Sequence, residues 1–217
     1  NANGQLAFTG LTGWSFEGLA AASEFDFPGG RAAEASGPIQ VGQDGSEISW
    51  TLEGADARGL TIDALSRLEP ADYTVSTRGA YNLKTRIVDV TAAQVTGAVG
   101  SVTARGDYKV ETGAMQFGGS AAFARLDQFG PLSGSARGTW SVSQRASGAP
   151  LRIGADVTGA GVSSSVDILS QIAGRAPHVV FSGIWRNGRL LIESGSIDGG
   201  ALLARITMAF AFAFLVP

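Results

Sequence analysis

The sequence contains no cysteine, which excludes disulfide bridges, thiol nucleophiles and cysteine-bound metal. It has a single histidine, His178. Without thiolates beside it, zinc would need mostly carboxylate ligands, which zinc sites rarely use alone. Charged residues make up only 16% of the chain, with a net charge of −3 and a pI near 5.2. A nucleic-acid partner calls for a basic stripe, so this balance argues against one. The apolar run at 208–217 is far shorter than the ~20 residues of a bilayer-spanning helix. Asn1 opens no basic and apolar leader pattern, and the chain stops abruptly in that run, so the sequence reads as a piece of a longer protein.

Glycine is abundant, at 31 of 217 residues, and so is period-2 alternation. Leu6 and Phe8, Trp14 and Phe16, and Phe25 and Phe27 begin the series. Ile48-Ser49-Trp50-Thr51-Leu52-Glu53 and Leu151-Arg152-Ile153-Gly154-Ala155-Asp156-Val157 are half-buried strand patterns. Glycine-bearing breaks separate the runs at 28–30, 42–45, 96–97 and 147–150. Helix signals are sparse: 61–68, a turn at 126–129, and 166–174, where Ser164 is placed to cap and Gly174 to stop. The expectation is an all-β chain, an elongated antiparallel β-meander of repeated hairpins curling into a groove, with one or two short helices. It is expected to be one continuous region over 1–207, best supported over 60–207. The tail at 208–217 alternates Phe and Ala as a strand does, yet departs from the Gly-turned polar strands before it.

An internal repeat supports the meander. Arg78-Gly79-Ala80-Tyr81-Asn82-Leu83-Lys84-Thr85 matches Arg105-Gly106-Asp107-Tyr108-Lys109-Val110-Glu111-Thr112, and Arg137-Gly138-Thr139-Trp140 and Ser182-Gly183-Ile184-Trp185 repeat the opening. The pattern is Arg-Gly-x-aromatic-x-aliphatic at intervals of roughly 30 residues, the spacing of units that bury a face only by stacking on neighbours. Glycine before the aromatic gives a ring flat backbone to lie on.

The last hairpin is the most informative. Asn187-Gly188 is the strongest two-residue hairpin signal, since a type I′ turn needs positive φ at both central residues. Counting outward pairs Arg186 with Arg189, Trp185 with Leu190, Gly183 with Ile192 and Phe181 with Ser194. Phe181, Trp185, Leu190 and Ile192 then share one oily face, and the Arg186–Arg189 pair requires an exposed turn.

Polar chemistry is thin. His178 has no carboxylate close in sequence and reads as a surface or strand-end residue. Asp44-Gly45-Ser46-Glu47 lacks calcium-loop spacing and reads as a solvated turn. Glu24 and Asp26 form an unsupported acid pair, and 195–200 lacks the Lys-Ser/Thr of a phosphate loop. Arg78, Arg105 and Arg137 read as a solvated edge that discourages aggregation. No catalytic, cofactor or metal set is expected. The feature with functional reach is the apolar face: either a closed core or a curled sheet forming an open groove for acyl chains, where ~0.8 kcal/mol per buried methylene accumulates quickly.

The 166–207 stretch resembles the TamB translocation and assembly family within the AsmA-like envelope proteins. The carrying residues are Asp167-Ile168-Leu169, Gly174-Arg175-Ala176-Pro177, the glycine-turned hairpin and Leu190-Leu191-Ile192-Glu193-Ser194-Gly195. The hairpins at Tyr81 and Tyr108 and the Gly130-Pro131-Leu132-Ser133-Gly134 segment are similar to that family's repeats. The resemblance implies a periplasmic protein of Gram-negative bacteria, anchored in the inner membrane. Its hydrophobic β-groove would conduct phospholipids toward the outer membrane and support outer-membrane protein assembly with a TamA-like barrel partner. Tyr81, Tyr108, Trp140, Phe181, Trp185, Leu190 and Ile192 are the candidate groove lining. The alternative is a solid-core β-repeat stalk of an adhesin or autotransporter passenger. An outer-membrane barrel is disfavoured because the aromatics do not gird both strand ends, and an enzyme is least favoured.

Overall fold

The computed structural model describes residues 1–10, 13–27, 30–62, 71–164, 174–186, 189–199, 203–206 and 210–213. The expected helix at 166–174 falls outside the described residues except at Gly174, as does 63–68 of the expected helix at 61–68 and the Asn187-Gly188 turn itself. The chain is all-β and antiparallel. Among the described residues the helical content is one 3-10 turn, Asp127–Phe129. The chain divides into two compact units, Asn1–Glu111 and Thr112–Pro217.

The first unit holds β1 (Ala2–Thr9), β2 (Gly13–Phe27), β3 (Gly30–Asp44), β4 (Glu47–Ile62), β5 (Ala71–Asn82), β6 (Ile87–Gly97) and β7 (Gly100–Lys109). Each strand pairs with its sequence neighbour. The second unit holds β8 (Ala114–Phe123), β9 (Leu132–Gln144), β10 (Leu151–Ser164), β11 (His178–Arg186), β12 (Arg189–Asp198), β13 (Leu203–Ile206) and β14 (Phe210–Ala213). It is also a meander, with β13 and β14 both pairing with β12. Thr61 and Ile62, expected to open a helix, close β4. Ser164, the expected cap, closes β10, and its Oγ donates to the Pro131 carbonyl at 3.0 Å.

In each unit the sheet is open and uncurled, which corrects the expected curl into a groove. Among the described residues no ladder joins the first strand of either unit to its last, so no pairing draws the edges together.

Bulges keep the alternation in phase over long strands. In β4 the apolar positions switch from Ile48, Trp50 and Leu52 to Ala55 and Ala57, and the extra residue falls at Glu53-Gly54. Gly54 takes φ +62° there, a conformation open to glycine, and its N–H is accepted by Ser76 Oγ at 2.9 Å. In β12 the extra residue is Glu193, between the pairs Gly183–Ile192 and Ser182–Ser194. Arg186–Arg189, Trp185–Leu190 and Gly183–Ile192 pair as expected, and both arginines are exposed. Phe181 instead meets Gly195. The shift has a clear cause: Ile197 is out of phase with Leu190 and Ile192, and one extra residue brings it opposite Val179 on the apolar side.

The motif copies occupy β5, β7, β9 and β11, with turns between at 83–86, 110–113 and 145–149. Asn82 Oδ1 accepts from the N–H groups of Lys84 and Thr85, each at 3.0 Å, closing the first turn. Beside the 3-10 turn, Arg125 grips Asp127 with Nη2–Oδ2 at 2.7 Å and Nε–Oδ1 at 3.2 Å. This hydrogen bond holds the Asp127 carboxyl below the usual carboxylate range.

Candidate functional site: an apolar sheet face

Directly opposed residues of an antiparallel pair point to the same side, so the registers trace the faces. In the first unit one row reads Trp14, Gln43, Ile48, Tyr81, Val88 and Tyr108. The next reads Phe16, Val41, Trp50, Gly79, Val90 and Gly106. In the second unit one row runs Phe117, Val142, Ile153, Gly183 and Ile192, another Gly119, Trp140, Ala155, Phe181 and Gly195. Leu151, Trp185 and Leu190 form a third.

Every candidate lining residue therefore lies on the apolar side of its own unit: Tyr81 and Tyr108 in the first, Trp140, Phe181, Trp185, Leu190 and Ile192 in the second. The motif arginines Arg78, Arg105 and Arg137 are exposed. Arg78 shares a row with Gln40 and Thr51 on the polar side and reaches Glu53 at 3.3 Å. Its strand, like that of Arg137, is paired on both sides, so these arginines lie on a solvated face and not on the expected sheet edge.

Burial decides what kind of face this is. Among the described residues the buried hydrophobics are Ala32, Ala55 and Ala57, and no large side chain is fully buried. Trp50, Tyr81, Trp140, Phe181, Trp185, Leu190 and Ile192 are half-buried, while Phe8 is 74% exposed and Leu6 57%. Ring and aliphatic groups thus shield one another side to side, while their outer surfaces remain open. A closed core would bury them outright, as aromatic side chains in domain interiors are. Contiguous apolar surface of this kind marks an interaction site.

The indoles carry polar handles. Trp14 Nε1 donates to Gln43 Oε1 at 2.9 Å and Trp50 Nε1 to Thr77 Oγ1 at 3.4 Å. Trp140 Nε1 is buried without a protein acceptor, an arrangement that costs about 1–3 kcal/mol.

On the polar side, His178 Nε2 lies 2.7 Å from Asp156 Oδ1, with side chains 48% and 57% exposed. Sequence reading missed this partner because it lies 22 positions away on β10, and only the β10–β11 register brings the two together. The pair is a surface contact. Asp44 and Glu47 flank the Gly45-Ser46 turn as a directly opposed pair, in keeping with a solvated turn. Among the described residues no group of three or more His, Asp or Glu is placed to hold a metal.

Much of the face lies outside the candidate lining, including Trp14, Phe16, Trp50, Phe117, Val142 and Ile153. The alternation that carries Trp14, Phe16, Trp50 and Ile153 was legible, but not which strands it would bring side by side. Compared with known proteins, the chain matches no family model, no curated protein and no solved structure.

Proposed function

We propose that this chain is a segment of a hydrophobic β-sheet conduit that carries phospholipid acyl chains between the inner and outer membranes of a Gram-negative bacterium. In this reading it lies in the periplasm of a TamB-like protein held to the inner membrane by a segment outside this sequence. It works with an outer-membrane barrel partner and supports outer-membrane protein assembly. It acts by passive apolar contact and makes no covalent intermediate.

The observation that carries the reading is the apolar side of each sheet, which among the described residues bears large half-buried side chains and no fully buried ones. Acyl chains suit such a surface because apolar contact is non-directional, so a lipid can slide along it. The solid-core stalk draws less support, since a solid core leaves its aromatics fully buried.

A photo-crosslinking amino acid at Trp185 or Leu190, introduced into cells of the native host, tests the reading. Phospholipid should be captured at both positions. Capture of polypeptide alone would place a protein layer on this face and overturn the conduit.

A further inference from the structure

The turn end of the second unit concentrates positive charge. On the polar side Arg152 stands opposite Ile184, one same-face step from Arg186, and Arg186 stands directly opposite Arg189. Directly opposed Cβ atoms lie about 5 Å apart and diagonal ones about 7 Å, so these three side chains spring from one small area. Arg145 opens the β9–β10 turn at the same end. All are exposed, and among the described residues none forms an ion pair. The carboxylates on the neighbouring strands are Glu193 at the β12 bulge, Asp198 at the far end of β12, and Asp156, which faces His178. In the first unit the turn cations Lys84, Arg86 and Lys109 are interleaved with Asp44, Glu47 and Glu111, and Arg86 pairs with Glu111 at 3.6 Å. The second unit lacks that compensation.

This same end holds a hollow of about 430 Å³ lined by Met115, Gln144, Leu151, Trp185 and Arg186, with Pro150 of the turn. Gln144 Nε2 donates to the Ala149 carbonyl at 2.7 Å and fixes that turn. Arg186 thus borders a hollow that it shares with Leu151 and Trp185 while belonging to a cluster of like charges.

We infer that this end of the second unit is a headgroup site for an acyl amphiphile with an anionic phosphate headgroup. The phosphate sits on Arg186 and Arg189, and the acyl chain leaves the hollow along Trp185 and Ile192. Arginine presents a planar fork that meets phosphate oxygens two at a time, and an anion here relieves the repulsion of the cluster. The inference rests on the conduit reading and adds to it the class of lipid that this end selects.

The test uses the full chain with detergent-dispersed phosphatidylglycerol and phosphatidylcholine of equal acyl length, and bound lipid read by native mass spectrometry. The wild-type chain should favour phosphatidylglycerol by about tenfold, because both headgroups carry the phosphate but the trimethylammonium of phosphatidylcholine is repelled by the arginine cluster. Arg186→Gln with Arg189→Gln should abolish the preference, and Arg189→Glu should reverse it. These side chains are exposed, so the β-sheet circular dichroism should not change, and a variant that lost it would be replaced by Arg152→Gln, for which a partial loss of preference is expected. Equal binding of the two lipids by the wild type, or a preference that survives in the double variant, overturns the headgroup site and leaves the conduit standing. Capture of neither lipid overturns both. Inorganic phosphate should not displace phosphatidylglycerol at equal concentration; displacement would assign the cluster to free phosphate.

Discussion

The indole of Trp50 lies against Gly79 on the adjacent strand, so closely that a methyl group on Gly79 would collide with ring carbons Cζ2 and Cη2. Tyr73 lies over Gly97 in the same way. Gly79 and Gly97 are thus seats for a ring, whereas the later motif glycines Gly138 and Gly183 meet neighbouring backbone and, at Gly183, a leucine side chain, so the expected ring seat holds at Gly79 and not along the whole repeat.

Gly79→Ala should therefore destabilise the first unit by about 1–3 kcal/mol, the usual cost of overpacking. Gly42→Ala is the control, since its added Cβ would come no closer than 3.3 Å to the Trp14 carbonyl. Urea denaturation followed by tryptophan fluorescence distinguishes them, and equal midpoints for the two variants would contradict the seat.

Gly54 is required for a different reason. An added Cβ there meets no atom within 4 Å, but φ is +62°. Gly54→Val should cost about 1–2 kcal/mol through backbone strain alone. Gly54→Asn should cost less, because Asn tolerates the left-handed region. A thermal melt that ranked Asn as the worse of the two would refute this account of the bulge.

How far the sequence revealed the structure varied from strand to strand. Alternation placed Trp50, Leu52, Ile153 and Val157 in strands, and the glycine-turned hairpin set the Trp185–Leu190 register. Phase was harder to read. The bulges at Gly54 and Glu193 reverse the inward side midway along β4 and β12, and nothing local to Ile197 announces its switch. Asp156 was invisible as a partner of His178 because the contact depends on pairing between strands separated by a long connection. The flatness of the sheets was not legible either, because curl is a property of how rows pack and not of any one strand.

Ile192→Glu discriminates an open face from a core. Ile192 is half-buried and opposite Gly183. On an open face the carboxylate reaches water, and the loss should be about 1 kcal/mol or less; burial of an unpaired charge in a core would cost several times more. The same variant should abolish lipid crosslinking at Leu190. Chemical denaturation and the crosslinking yield, measured together, give the two readouts.

Acid should loosen the 3-10 turn. The Arg125 hydrogen bond lowers the Asp127 pKa in the folded chain, so the contact stabilises the fold above the ordinary carboxylate pKa and is lost as pH falls through the lowered value. In an NMR titration the Asp127 carboxyl carbon should move at lower pH than that of Asp127 in Arg125→Gln. Coincident curves would show that the contact does not persist in solution.

The neighbour-to-neighbour pairing has a consequence for how such a chain is made. Within each unit the strand ladders from β1 to β7 and from β8 to β13 join segments adjacent in sequence. Each new hairpin can dock on the one before it as the polypeptide emerges, with little loop-closure entropy to overcome. Growth of this kind contains no closing step, so the number of strands is free to vary by duplication or loss of hairpins while the chemistry of the surface stays the same.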